Sequence, residues 1–150
     1  MGEFNVFVSG VRDEFRASRD QVASDLRARR LTVRVQQDFR QESGTDTTLR
    51  KLHNYIRDCQ AVICIIGVRS GEKPTRSEAA PFADMLPEGV SEASYTQWEF
   101  YFARHYQRRL SLYVAKNRYQ RAPLPKGGKD FPDLQRGFVE YIVTALGLDR

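Results

Sequence analysis

Residues 61–67 read AVICIIG, an apolar run without a polar break. A segment that short and that apolar suits a strand buried on both faces, as in a parallel sheet covered by helices. The stretch FNVFVSG at residues 4–10 repeats the pattern, with Phe4, Val6, Phe7 and Val8 apolar on both faces and Ser9-Gly10 as its end. Two such strands need a long crossover between them, and the chain supplies helical patterns to make it.

A helix is expected over residues 13–30, with Phe15, Val22 and Leu26 on its inner stripe. LTVRV at 31–35 alternates like a strand with one wetter face. QQDFRQESGTD reads as a polar loop, after which Asp46 or Thr47 caps a helix to about Cys59 with Leu49, Leu52 and Ile56 on one face. Residues 68–93 form a long irregular stretch with room for one helical turn in EAAPFADML, and connections of that length are usually functional or disordered. An aromatic helix follows over 94–108, then a strand, LSLYVA, at 110–115. RAPLPKGGKDFP is a loop, and a last helix carries Leu134, Phe138, Ile142 (or Tyr141) and Ala145 inward before Gly147 stops it.

The alternation predicts an α/β, flavodoxin-like three-layer sandwich: a parallel sheet in the order 2-1-3-4 with helices on both faces. The 150 residues suit one domain. A fifth strand would be usual, and GLDR ends where one could begin, so the chain is expected to be the N-terminal domain of a longer protein whose C-terminal domains would be its partners. Hydrophobic content of 41% and charged content of 29% fit a soluble protein. With no signal peptide and no apolar run of membrane length, the simplest expectation is a cytoplasmic protein without membrane contact. The net charge of +5 permits acidic partners, but the arginines are scattered, so direct nucleic-acid binding is not expected. Cys59 and Cys64 read as reduced core thiols, and no zinc spacing is present. Walker A, G-x-G-x-x-G and G-x-S-x-G motifs are also missing.

The feature without an obvious structural reason is in SYTQWEFYFARHY, residues 94–106. At 100° per residue, Tyr95, Glu99, Phe102, Ala103 and Tyr106 share one arc, with Trp98 and His105 at its edge and Gln97 and Arg104 pointing away. A lone carboxylate, Glu99, therefore falls on the face that should be buried. Such a residue can be a marginal or arginine-paired acid, or a functional one.

Together NVFVSGVRDEF, AVICIIG and SYTQWEFYFAR, in that order, resemble a bacterial TIR-like domain (Toll/interleukin-1 receptor homology) of the kind at the N-termini of large signalling and defence ATPases. The resemblance covers nearly the whole chain. It implies an NAD glycohydrolase that breaks the nicotinamide–ribose bond when assembled through TIR–TIR contacts, with NAD as substrate and no other cofactor or metal. It makes Glu99 the catalytic acid and puts Tyr95 at the family's aromatic position, with Thr96 at its cysteine position and Trp98 beside the glutamate. It also assigns Ser9, Gly10, Val11 and Arg12 to a substrate wall, with Gly10 permitting close backbone approach and Arg12 adding charge. Asp38, Phe39 and Arg40 become contributors from the assembly loop. Two alternatives stand beside it: a non-catalytic self-association module, and a nucleotide N-glycosidase or deoxyribosyltransferase-like enzyme.

Overall fold

The structure is a computed structural model that describes residues 4–40, 46–115 and 128–147, without the side chains of Arg12, Asp13, Gln37 and Arg40. The described elements run β1 (Asn5–Gly10), α1 (Arg12–Ala28), β2 (Thr32–Arg34), α2 (Gln36–Arg40), α3 (Thr48–Asp58), β3 (Ala61–Ile66), α4 (Arg76–Ala79), a 3₁₀ turn (Ala80–Met85), α5 (Tyr95–His105), β4 (Arg109–Val114) and α6 (Pro132–Leu146).

All pairings are parallel, in the order β2-β1-β3-β4. The register aligns Phe7 with Val62 and Ser9 with Cys64, and it aligns Cys64 in turn with Leu112. The two-residue period sends Phe7, Ser9, Val62, Cys64 and Ile66 to one face of the sheet and Val6, Val8, Ile63 and Ile65 to the other. The first face carries the larger core, where Leu49, Leu52 and Ile56 of α3, Phe100 and Phe102 of α5, and Phe138 and Ile142 of α6 are buried together. The second face is packed by α1 through Ala23, Val22 and Leu26, with Val33 and Val35 alongside. The flavodoxin-like expectation holds, with strand order and crossovers as read from the sequence.

Local chemistry explains the helix starts. Thr47 caps α3 by accepting from the Arg50 amide. Ser94 and Gln97 form a reciprocal capping box at the start of α5.

Four expectations need correction. The segment after β2 is not all loop: α2 forms because the Asp38 carboxylate accepts from the Val35 amide at 2.8 Å and Phe39 is buried against Phe7 and Tyr55. The long stretch after β3 holds α4 as well as the 3₁₀ turn, with Thr75 capping α4 through the Glu78 amide. Gln97 does not face away from the core but is 2% exposed, because α6 covers that side of α5 and offers Gln135 as its partner at 2.9 Å. Ala145 lies on the exposed side of α6, because the stripe made by Phe138 and Ile142 continues four residues on at Leu146, which packs against the core. The expected loop after β4 falls largely outside the described residues.

Candidate functional site

Glu99 lies in the second turn of α5 and is 0% exposed. The helix packs on the sheet face that also carries Ser9 and Cys64, at the carboxyl ends of β1 and β3. That is the topological switch point, where the chain leaves the two central strands in opposite directions and ligands of open α/β sheets bind. Ser9 Oγ donates to Glu99 Oε1 at 2.6 Å, and Gln36 Nε2 donates to Oε2 at 2.8 Å. Three elements distant in sequence, β1, α2 and α5, therefore meet on one buried carboxylate. Neutral donors of this kind satisfy the acid and fix its orientation.

Cys64 completes the cluster. Burial pushes its thiol far above the ordinary range, the Glu99 charge pushes the same way, and a hydrogen bond with Ser9 opposes both. A thiol held neutral in this way is a poor nucleophile, so the cluster offers a carboxylate and not a thiolate.

The amides beyond β3 are also engaged. Glu14, in the first turn of α1, accepts from the backbone amides of Val68 and Arg69, both at 3.1 Å. Gly67 makes this possible: a Cβ there would run into the Glu14 carboxylate and come within 2.6 Å of Phe15 Cζ. On the α6 side, Gln135 Nε2 donates to the Gly67 carbonyl at 2.7 Å, and Asp130 Oδ1 accepts from the Ser70 amide at 2.9 Å. Gly67, Asp130 and Gln135 border a cavity of about 270 Å³ that Val68, Arg136 and Glu140 also line.

The residues singled out from the sequence divide into groups. Ser9 and Glu99 are in direct contact. Gly10 pairs with Ile65 in the sheet, where a Cβ would meet only ordinary contacts at 3.5 Å, so close approach is not what holds a glycine there. Val11 is buried and precedes α1. Arg12 opens α1, while its side chain and that of Arg40 lie outside the described part. The Asp38 carboxylate caps α2, and Phe39 is a core ring with the Arg34 guanidinium 4.1 Å from its centroid. The Tyr95 hydroxyl donates to Glu78 Oε1 at 2.7 Å, and Glu78 Oε2 accepts from the Leu49 amide in the first turn of α3. Trp98 is 1% exposed and packs on Phe82, Tyr101 and Phe102. Gln36, Cys64 and Glu14 were missed. The alternation of β3 could have flagged Cys64, but nothing local marks a glutamine in a polar stretch as a partner 63 residues away.

Among the described residues no helix is long and apolar enough to cross a membrane. A search of curated proteins returned no match. A solved structure of a 2-desoxiribosyltransferase from Leishmania mexicana is similar at 15% identity and a TM-score of 0.47, over 88% of this chain and 81% of that one. At that similarity nothing about activity passes from one chain to the other. The family model that matches is not a TIR model. It covers residues 5–135, nearly all of the sheet and the helices around it, so the chain belongs to the family described as DUF4062, a domain of unknown function.

Proposed function

We propose that this domain binds a nucleoside or nucleotide at the carboxyl ends of β1 and β3 and that Glu99 acts on its N-glycosidic bond. The observation that carries the reading is the Glu99 carboxylate, buried at the switch point and oriented by Ser9 and Gln36. Cleavage of such a bond passes through an oxocarbenium-like state at the sugar C1′. A desolvated, pre-oriented carboxylate stabilises that positive charge more strongly than one in water. The TIR resemblance of the sequence favours NAD as the substrate. Its nicotinamide leaves as a neutral base, taking the electron pair of the broken C1′–N bond, and water adds its oxygen to C1′ and releases a proton. No acid is needed for that leaving group. A sugar hydroxyl would take the place of the Gln36 amide on Oε2. The same carboxylate suits a deoxynucleoside, whose C1′–N bond breaks with similar charge at the sugar; there the purine takes the electron pair and the proton that the adding water releases, and leaves as the neutral base.

A second reading has its own support. In this conformation Glu99 is fully buried with both oxygens engaged, as in a structural joint between α2, β1 and α5. That suits a non-catalytic interaction module.

One experiment separates the readings. The protein, free and artificially clustered, is incubated with NAD or with deoxyinosine, and base release is measured beside Glu99→Gln. The expected result is nicotinamide release that falls by about 10²-fold or more in Glu99→Gln, with the melting temperature little changed. Hypoxanthine release instead assigns the site to deoxynucleosides. No release of either base under clustering leaves the structural joint as the function of Glu99, and release that survives Glu99→Gln removes the residue from the chemistry.

A further inference from the structure

The two edges of the sheet are not alike. β2 is three residues long, and a strand that short offers little for another chain to pair with. β4 has six residues, RLSLYV, with no proline and no charge on its core-facing side. Leu110, Leu112 and Val114 face the larger core and are only half-buried against it. On the opposite face Arg109, Ser111 and Tyr113 are exposed, Tyr113 at 64%. Among the described residues no strand pairs with the outer side of β4. The Ala115 amide donates to the Ile66 carbonyl at 2.7 Å, so it points at β3. Alternation along the strand then turns the amides and carbonyls of Leu110, Leu112 and Val114 outward.

We propose that β4 is a dimer seam that pairs antiparallel with β4 of a second copy, about a two-fold axis at Ser111. Leu110 of each copy exchanges backbone hydrogen bonds with Leu112 of the other, and the two small Ser111 side chains meet on the axis. Arg109 of each copy stands opposite Tyr113 of the other, in the non-hydrogen-bonded position where side chains come closest. The strand is therefore complementary to itself: each guanidinium meets an exposed phenol ring, a cation–π contact that symmetry repeats. Centring the pair on Leu112 instead sets Arg109 opposite Ala115 and loses both contacts, so the charges select Ser111. The two Arg109 charges fall at opposite ends of the seam, roughly 14 Å apart at the usual rise per residue and beyond the screening length of physiological salt. The seam joins two four-stranded sheets into one and does not depend on what Glu99 does.

Sedimentation of the whole protein from micromolar to millimolar concentration reads the association, and amide hydrogen exchange locates it. The expected result is a monomer–dimer equilibrium in which the Leu110 and Leu112 amides are protected in the dimer and exchange fast in the dilute monomer. Tyr113→Lys, an exposed change that keeps the fold, sets like charges across the seam and loses two contacts at once. It should weaken dimerisation by about tenfold or more. Adding Arg109→Glu to that variant sets opposite charges across the seam and restores the dimer. A protein that stays monomeric throughout, or a dimer indifferent to Tyr113→Lys, overturns the seam. Protection of Leu110 and Leu112 in the monomer also overturns it, because the chain then covers its own edge. A double variant that does not recover the dimer overturns the register centred on Ser111.

Discussion

Ser9 is the smallest of the groups that hold Glu99, and its loss exposes how the carboxylate is supported. Ser9→Ala removes the donor 2.6 Å from Oε1 and leaves a buried carboxylate oxygen short of a partner. The expected cost is about 1–3 kcal/mol, read as a lower urea midpoint. If Glu99 acts on a glycosidic bond, kcat falls in Ser9→Ala with KM nearly unchanged, because orientation of the charge matters most in the transition state. Ser9→Thr restores the donor and should recover part of both effects. The buried acid could be located from helical periodicity alone, since Glu99 shares an arc with Phe102 and Ala103. Its partners could not, because hydrogen bonds from Ser9 and Gln36 span 90 and 63 residues and leave no local trace.

At the scale of elements, two joints can be tested. Gly67 lets the first turn of α1 lay Glu14 across the amides beyond β3. Gly67→Ala should cost about 1–3 kcal/mol through overpacking. Glu14→Ala in the same chain should relieve part of that cost, giving a less-than-additive cycle in chemical denaturation. The second joint lies between α3 and α5, where His53 Nε2 and the Tyr106 hydroxyl are 2.6 Å apart and the imidazole packs on Phe82 and Phe102. Burial holds the His53 pKa below its ordinary 6.5; the Asn54 hydrogen bond opposes this, while the nearby charges of Arg57, Arg50 and His105 add to it. The unfolded chain therefore takes up the proton first. The neutral imidazole stabilises the fold fully above pH 6.5, and that contribution is lost as pH falls from 6.5 toward the lower folded value. The melting temperature should drop across that window, and His53→Gln should flatten the drop.

For the whole molecule, the two cysteines report on the integrity of the core. Burial pushes the Cys59 thiol up to about 11 and Cys64 higher still. Neither should be alkylated by iodoacetamide at pH 7.5 in the folded protein, and both should react at the rate of free cysteine in denaturant. Labelling of Cys64 alone under native conditions would mean that the sheet opens next to Glu99. The larger core binds α3, α5 and α6 to a single face of the sheet, so loosening any of them is felt at Glu99.

Much of this architecture was legible in one dimension. The apolar runs at β1 and β3, the alternation at β2 and the stripes of α3 and α6 each follow from a period of two or near 3.6. Right-handed crossovers then restrict the order of four parallel strands to few choices. The caps at Thr47 and Ser94 are local too, since their partners are three residues away. What the chain does not state locally is which polar groups meet. The pairing of Gln97 with Gln135, the clasp of Glu14 on Val68 and Arg69, and the seating of Glu99 between Ser9 and Gln36 depend on distances across the sheet. The sequence by itself determined the fold class and the presence of a buried acid, because periodicity and burial are properties of a segment. Only the tertiary structure decided that acid's partners, and that Tyr95 and Trp98 turn to Glu78 and to the aromatic core, because hydrogen bonding and close packing depend on where distant segments meet in space.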